Sequence, residues 1–450
     1  MNSAEQKHFV GMKGFTVIWI GQLFSLLGTS MTAFSLTIWA WQLTGKATAL
    51  ALVAFFNFVP LLLTTPVAGA IVDRSNRKRV MISADLAAGL PTVGMLLLNT
   101  ASNLQIWHVY IATAIAGVFQ AFHFPAYSAA VTMMVPKEQY GRASGMLSAA
   151  EFASGIFAPV VAAIMMNIVG LNGVMVIDII TFVFAIFLLM LINIPQPLVT
   201  DERHDEARNI RKQLLFGFSY IFKRPSLLGL QLVLFSSNLL SSFGNTVVSP
   251  MILARTNNDS ILLGSVMSAA GIGGVIGGAV LSIWGGPKRK IHGVLMGNIL
   301  MNLLGWFFVG LGQNWIIWTL AAFIGVFFLP ILNGSNQAIW QVKVPPTMQG
   351  RVFAARRFIA QMGMPLGMLL AGSLADGFFE PAVMSNGSLA AIFGSLVGTG
   401  PGSGMSLMLI FAGLLGSIAG IGAYRFRVIR DAEDILPDYD VSQKDLTHSV

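Results

Sequence analysis

The stretch VPKEQYGR at Val135–Arg142 returns later in the chain as VPPTMQGR at Val344–Arg351, and 344 − 135 = 209. A second pair has the same spacing, because Gly69 precedes one basic loop, Gly278 precedes another, and 278 − 69 is also 209. Two unlinked matches at one spacing indicate an internal duplication. We therefore predict two halves with the same fold.

Long apolar windows surround both matches. Apolar residues make up 55% of the 450 residues and charged residues only 10%, a balance typical of a chain whose solvent is lipid. A helix needs roughly 20 apolar residues to cross a bilayer. Windows of that kind recur at 14–41, 47–72, 80–100, 105–135, 142–169, 172–194, 226–254, 259–284, 291–311, 314–342, 352–375 and 403–424. We predict an all-α membrane protein with twelve transmembrane helices in two six-helix pseudo-repeats.

A polar interruption separates the two sets of windows. We place the N-terminal half at 1–194, a cytoplasmic linker at 195–225, the C-terminal half at 226–424 and a cytoplasmic tail at 425–450. Apolar residues at helical spacing in the linker predict an amphipathic helix lying flat on the inner leaflet, although a helix that binds a partner protein has the same pattern. The Gly-rich segment 376–402 is predicted to be a long outer loop.

The basic residues indicate the orientation. The chain has 27 Lys and Arg against 19 Asp and Glu, and only Lys46 and Arg255 fall in loops that the span count places outside. Positive residues concentrate on the cytoplasmic side, so we predict a multi-pass protein of the cell (inner) membrane with both termini cytoplasmic. The same placement favours anionic membrane lipids, not nucleic acid, as the partner of the positive charge. Lys7 and Lys13 lead into an apolar run too long for a cleavable signal peptide.

The sequence lacks the residues and motifs that several classes of function require. Cysteine is absent, which excludes disulfides, thiolate zinc sites and iron–sulfur clusters. No GxxxxGK[ST] motif occurs, and GIGGVIGGA at Gly271–Ala279 lacks the GxGxxG spacing and lies in a predicted span, where small residues favour helix packing. No metal-ligand cluster or nucleophile–base pair stands out. We predict that the chain is not an enzyme, needs no cofactor or metal, and moves a small molecule.

The loop GAIVDRSNRKR at Gly69–Arg79 resembles the motif between the second and third helices of the major facilitator superfamily. AFHFPA at Ala121–Ala126, VPKEQYGRASG at Val135–Gly145 and GRVFAARRFIAQMGMPLG at Gly350–Gly367 resemble its macrolide-efflux and enterobactin-exporter branch. The resemblance covers essentially the whole chain. It implies a drug:proton antiporter type of protein, with halves that rock about a midplane cavity. Asn76 stands where the family prefers Gly, and we expect it to keep a left-handed turn.

The fifth window bears on the direction of transport. Exporters of the superfamily often carry GxxxGPxxGG there, whereas this chain keeps Gly155 and Pro159 but has Ala158, Ala162 and Ala163. We predict export of an amphipathic compound, such as a macrolide-like drug, a siderophore or another secondary metabolite, by a monomer that exchanges it for protons. Two alternatives stay open: import or facilitated diffusion of a nutrient or lysolipid, and a non-transporting membrane receptor or assembly factor.

The resemblance also implies a set of gating residues. In the family, the acid of the loop motif and its basic partners form a contact that breaks when the inner side opens. The corresponding residues here are Gly69, Asp73, Arg74, Arg77, Lys78, Arg142 and Arg351. The second half has Ser282 at 73 + 209, so we expect an asymmetric latch. Alternatively, the basic cluster sets topology and binds lipid headgroups.

Ionisable residues inside spans are costly and often carry ions. The predicted proton-coupling set is Glu151, His123, Asp178 and Asp85. Counted from the helix ends, Glu151 is roughly 14 Å and His123 roughly 18 Å deep on adjoining antiparallel helices, so we predict that Glu151, with His123, couples proton entry to cargo exit. Asp85 and Asp178 lie about 9 Å from a helix end and fit a structural, hydrogen-bonded role equally well. A satisfied core histidine is the alternative for His123, and a permanently protonated or hydrogen-bonded acid is the alternative for Glu151.

The cargo site is predicted from polar and aromatic residues well inside the spans. These residues are Phe34, Phe55, Asn57, Phe124, Asn238, Asn245, Asn333 and Gln361. The alternative for the aromatic ones is packing against neighbouring helices or lipid.

Overall fold

The computed structural model describes residues 11–136, 139–194 and 210–438, with the backbone alone at residues 70, 73, 74, 124, 210–215, 346 and 347. Every regular element in these ranges is helical, which confirms the all-α membrane fold. The helices of the first half are α1 (Met12–Thr44), α2 (Ala47–Arg74), α3 (Arg77–Thr100), α4 (Ile106–Met134) and α5 (Tyr140–Leu191).

The helix α6 (Ile210–Phe222) precedes the second half. The second half contains α7 (Pro225–Arg255), α8 (Ser260–Trp284), α9 (Lys290–Leu300), α10 (Phe308–Leu311), α11 (Trp315–Lys343), α12 (Pro346–Gln361), α13 (Gly363–Leu374), α14 (Glu380–Val383), α15 (Ala390–Val397), α16 (Ser403–Arg425), α17 (Arg427–Arg430) and α18 (Ala432–Ile435). Two π-helical segments, Met301–Phe307 and Ala375–Phe379, join α9 to α10 and α13 to α14.

Eleven helices in the described ranges are long and apolar enough to cross a membrane. The helix α5 supplies two crossings, because it has 52 residues and Gly170 interrupts it at φ 66° and ψ −173°. A positive φ of this kind is readily adopted only by glycine, which lets the chain turn between the two segments. Counting α5 twice gives 11 + 1 = 12 crossings, the number predicted from the apolar windows.

The chain forms two compact units, Met1–Glu202 with Asn258–Ser268 and Arg203–Asn257 with Ala269–Val450. The second unit has a core around the fully buried Trp340 and Leu230. The predicted limits of the halves, the linker and the tail stay predictions.

Two apolar clusters of the first unit include residues of both α1 and α3. One holds Phe15 and Met81 and the other holds Leu36 and Met95. These two clusters lie at different heights along α1 and α3. Polar side chains between these positions on the two helices lie between two apolar layers, and this is where the candidate site is found.

The turn between α2 and α3 differs from our expectation for Asn76. Its φ is −66° and its ψ is 111°, so it is extended and not left-handed. Its side chain accepts a hydrogen bond from the Arg79 backbone nitrogen at 3.1 Å. Asparagine is a preferred N-cap residue because its oxygen satisfies one of the unpaired amides at a helix start. Asn76 thus caps the start of α3 with its side chain. Glycine, which the family prefers at this position, has no side chain and could not make this hydrogen bond.

The predicted outer loop 376–402 is partly helical, because the π-helical segment and α14 continue the eleventh span and α15 follows. The Glu380 carboxylate accepts hydrogen bonds from the backbone nitrogens of Gly402 and Met405, at the start of α16. Arg255 donates to the carbonyl oxygens of Gly312 and Val397. These contacts tie the segment to α7 and α16, and its helices show that the prediction of one long loop was wrong.

The amphipathic helix predicted in the linker corresponds to α6, while residues 201–209 lie outside the described ranges. Part of its apolar face covers α12 of the same unit: the rings of Phe218 and Phe358 meet edge to face at 6.1 Å. The Arg351 guanidinium lies 5.9 Å from the centre of the Phe216 ring. The apolar face of α6 therefore packs in part on α12 of the same chain, whereas from the sequence we considered only the membrane and a partner protein.

The helix α1 packs closely on the second segment of α5. A Cβ atom added at Gly28 would overlap the Thr181 hydroxyl and lie 3.0 Å from the Asp178 Cα atom. Thr181 and Asp178 both belong to the second segment of α5, which packs against α1 and α3, so neither residue can move away from an added side chain freely.

We therefore expect Gly28→Val to destabilise the protein by about 1–3 kcal/mol, the usual cost of overpacking. The matched control is Gly94→Ala in α3, because a Cβ atom there meets nothing within 4 Å. Thermal unfolding of the purified protein in detergent measures both variants. Equal melting temperatures for the two would contradict this description of the α1–α5 contact.

Candidate functional site

Two polar residues on α1 and two on α3 share a seven-residue spacing, namely Gln22 and Thr29, and Asp85 and Thr92. Seven residues make about two helical turns, or roughly 10 Å, so the members of each pair lie on one face of their helix. The pairs meet in two polar layers, which we call the Asp85 layer and the Asp178 layer.

The Asp85 layer joins three helices. Gln22 Nε2 donates a hydrogen bond to Asp85 Oδ2 at 3.0 Å. His123 Nε2, on α4, lies 2.9 Å from Gln22 Oε1 and 3.2 Å from Asp85 Oδ1. The side chain of Asp85 is 8% exposed and that of His123 is 29% exposed. The acid is thus enclosed while the imidazole keeps one accessible side.

The contacts assign the hydrogen atoms of this layer. His123 Nε2 faces two oxygen atoms, so it carries a hydrogen and donates. Turning the Gln22 amide over would place its oxygen against Asp85 Oδ2, which requires a protonated acid. The arrangement is therefore self-consistent with an ionised Asp85. A proton added to Asp85 would change both of its contacts, those with Gln22 and with His123.

The Asp178 layer is more enclosed. Thr29 Oγ1 donates to Asp178 Oδ1 at 3.1 Å and Thr92 Oγ1 donates to Oδ2 at 3.3 Å. Only 3% of Asp178 is exposed. Two hydroxyl donors satisfy both carboxylate oxygens, as buried polar groups require. This geometry fits the structural, hydrogen-bonded role that we considered for Asp178 as an alternative to proton coupling.

The predicted pairing of Glu151 with His123 is corrected by these contacts, since His123 turns toward α1 and α3. Glu151 is exposed on the first segment of α5. The depth count placed both residues at similar heights, but height along a helix does not decide which neighbour a side chain faces. A coupling role for Glu151 stays a prediction.

The predicted gating residues fall into different settings. Lys78 Nζ donates to the carbonyl oxygens of Met190 at 2.8 Å and Ile192 at 2.7 Å, at the end of α5. A cation at a helix C-terminus satisfies carbonyls that lack partners in the helix. Arg77 is buried, and a Cβ atom at Gly69 would meet nothing within 4 Å.

Arg142 and Arg351 are exposed, and the side chains of Asp73 and Arg74 lie outside the described residues. The latch therefore stays a prediction, although Lys78 has an additional role in joining α3 to α5.

The basic loop of the second half has acidic partners that we did not predict. Glu433 accepts hydrogen bonds from the backbone nitrogens of Lys290 at 3.1 Å and Ile291 at 2.8 Å. It thereby caps the start of α9, where the first amides lack helical partners. Arg289 Nη2 lies 2.5 Å from an Asp434 oxygen and 3.5 Å from an Asp431 oxygen. Ser282 stands at the repeat position of Asp73, so this loop has no acid of its own, and the tail after α16 supplies acidic partners instead.

A buried lysine completes this tail contact. Lys343, at the end of α11, has only 5% of its side chain exposed, and its Nζ lies 2.6 Å from Asp438 Oδ1. It also donates to the carbonyl oxygens of Glu433 and Leu436. The hydrogen bond from Arg430 lowers the pKa of Asp431, and the charges of Arg289 and Arg427 act in the same direction. The tail is therefore held by charges at the start of α9 and at the end of α11.

The predicted cargo residues are dispersed. Asn57 Nδ2 donates to the Thr113 carbonyl oxygen at 3.4 Å, and Asn238 Nδ2 donates to that of Ala360 at 2.9 Å. Both amides thus link neighbouring helices. Phe34 is buried, Phe55 and Gln361 are half-buried, Asn245 and Asn333 are exposed, and the Phe124 side chain lies outside the described residues. Their role in binding cargo stays a prediction.

Gln22 of the Asp85 layer was missed from the sequence, because it is an uncharged amide in an apolar window. Searching the windows for amides at seven-residue spacing from another polar residue would have found Gln22.

The comparison with known families decides the assignment. The model of the Major Facilitator Superfamily matches residues 18–368. The chain belongs to this superfamily. It is 26% identical over 364 residues to macrolide efflux protein A of Streptococcus pyogenes, covering 80% of this chain and 89% of the relative. It is also 26% identical over 371 residues to the multidrug efflux pump Tap of Mycolicibacterium fortuitum, covering 79% and 90%.

Solved structures agree with this fold. A bacterial homologue of the human lysosomal transporter Spinster, inward-facing and occupied, has a TM-score of 0.65 at 12% identity, covering 91% of this chain and 95% of that one. A POT family transporter in complex with 5-aminolevulinic acid has a TM-score of 0.66 at 11% identity, covering 92% and 96%. This Major Facilitator Superfamily protein is thus a multi-pass membrane transporter similar to macrolide and multidrug efflux pumps, and not an enzyme.

The tail contact of this transporter leads to a direct test. Glu433→Ala removes the cap of α9, and loss of a helix cap costs about 0.5–2 kcal/mol. We expect trypsin to cleave the variant faster at Arg427 and Arg430, which loss of a C-terminal tag would report. Ile435→Ala is the control, because Ile435 is 52% exposed on the same short segment. Cleavage of Glu433→Ala at the wild-type rate would show that the carboxylate does not hold the tail.

Proposed function

We propose that this transporter exports an amphipathic small molecule, such as a macrolide-like drug or a secondary metabolite, in exchange for protons by alternating access. Its similarity to macrolide efflux protein A and to Tap supports efflux and an amphipathic cargo. The concentration of Lys and Arg at one set of helix ends supports a cell (inner) membrane location with both termini in the cytoplasm.

The observation that carries proton coupling is the contact of Asp85 with His123 and Gln22. An acid and an imidazole within hydrogen-bond distance can hold and release a proton between them. Asp85 on α3 lies eight residues after Arg77, or about 12 Å into the span. Charged groups at such depth are usually retained for ion movement.

The network can convert a proton into motion because each of its members comes from a different helix. Ionised Asp85 accepts from both Gln22 on α1 and His123 on α4. A neutral Asp85 attracts these donors less, because hydrogen bonds to charged groups are roughly twice as strong. Protonation therefore loosens α3 from α1 and α4. A ligand or proton shifts a conformational equilibrium only by such a difference between states.

We assign the remaining acids accordingly. Asp178 holds α5 to α1 and α3 through its two threonine donors, in a structural role. Glu151 remains a second candidate for proton binding, because its exposed carboxylate is free of the Asp85 layer.

Transport into vesicles with an imposed pH gradient tests this proposal. We expect Asp85→Asn to reduce gradient-driven movement of a fluorescent macrolide at least tenfold, while exchange of cargo without a gradient continues. Asp178→Asn is the matched control: we expect less folded protein but normal pH dependence per molecule. Glu151→Gln with wild-type pH dependence removes Glu151 from coupling.

Other outcomes select the alternatives. Wild-type pH dependence in Asp85→Asn would overturn the role of the Asp85 layer. Gradient-independent flux of the wild type would favour a facilitator or importer, and no flux of any tested amphiphile would favour a receptor.

A further inference from the structure

An arginine lies inside a membrane-spanning segment of the second unit. Arg356 on α12 lies within the candidate span Met348–Val383. It is 356 − 352 = 4 residues after the start of the apolar window 352–375, or about 6 Å at 1.5 Å per residue. It is half-buried. An arginine within a membrane-spanning helix is costly unless its charge is used or balanced.

The guanidinium of Arg356 is held on one side by α11 and by its own helix. Its Nη1 donates to Gln337 Oε1 at 2.9 Å. Its central carbon lies 5.1 Å from the centre of the Trp340 ring and 5.6 Å from that of Phe353. Aromatic faces attract cations at these distances and orient the planar group.

No carboxylate among the described residues lies within 4 Å of Arg356, which distinguishes it from Arg289 with its two tail acids. Arginine has five N–H donors, and Gln337 takes one of them. The amide and the rings leave the positive charge without a neutralising partner in the described structure.

The duplication places a second unusual group beside this arginine. Gln231 stands at 22 + 209, the repeat position of Gln22. Its Nε2 donates to the Arg356 carbonyl oxygen at 2.9 Å, while its Oε1 is buried without a hydrogen-bond partner among the described residues. The repeat positions of Asp85 and His123 hold Val294 and Leu332. The second half thus keeps the amide, loses the acid and gains a cation.

We propose that Arg356 binds the anionic group of an amphipathic cargo, a carboxylate or phosphate, while Trp340 and Phe353 hold the guanidinium in place. Guanidinium donors match the two oxygens of such groups. The inference rests on the proposed export function and adds amphipathic anions to the proposed cargo. The headgroup of an anionic lipid has the same chemistry, so the test separates the two sources.

The test uses two fluorescent amphiphiles that differ only in a carboxylate or its neutral amide. We expect Arg356→Gln to reduce efflux of the carboxylate probe at least tenfold and that of the amide probe less than twofold. Arg356→Lys should fall between, because lysine keeps the charge but not the two-pronged geometry. Arg357→Gln is the control, because Arg357 is next to Arg356 in the chain and its own side chain is exposed. This variant should transport both probes normally.

Binding to the purified protein, read as a thermal shift, separates this inference from the export proposal. A carboxylate-selective shift that disappears in Arg356→Gln supports the site even where no efflux is seen, whereas no selectivity for the carboxylate overturns it. Equal loss of both probes in Arg356→Gln, with folded protein at wild-type levels, also overturns it. An Arg356-dependent shift with phosphatidylglycerol vesicles, and none with the probe, assigns the site to lipid and overturns cargo binding.

Discussion

A polar group placed in hydrocarbon must find its partners inside the protein, because lipid supplies none. The enclosed acids Asp85 and Asp178 of the first unit follow this constraint. Asp178 receives two threonine hydroxyls, and Asp85 receives Gln22 and His123. These partners come from different helices, so satisfying the acids also determines how α1, α3, α4 and the second segment of α5 pack. The close approach at Gly28 is part of the same arrangement, since it brings Asp178 within reach of Thr29.

The two polar layers meet this constraint differently, and the difference bears on function. The donors of the Asp178 layer are hydroxyl groups that do not titrate, so the layer can hold helices together in one state. The Asp85 layer contains an imidazole and an acid, so its hydrogen bonds depend on a proton. One layer is therefore suited to stability and the other to coupling, although both use the same seven-residue spacing on α1 and α3.

Duplication gave the halves a common framework, and their polar groups have diverged upon it. At the ends that carry the basic loops, the first half satisfies the last carbonyls of α5 with Lys78, whereas the second half satisfies the first amides of α9 with Glu433 from the tail. Inside the spans, the first half has an acid with its histidine, and the second has Arg356 beside Gln231. The asymmetry agrees with our two proposals, that the first half handles protons and that the second recognises an anion.

The sequence by itself determined the fold class, the twelve crossings and the family, because hydropathy and motif spacing are local properties of a window. It also identified His123, Asp85 and Asp178 as ionisable groups inside spans. Only the tertiary structure decided that His123 meets Asp85 and not Glu151, since a side chain's direction turns by about 100° with each residue of a helix and a depth count does not contain it. The same holds for Arg289 and Asp434, which meet across 145 residues of chain. Which distant groups neutralise each other depends on how helices rotate and pack, and no local pattern records that.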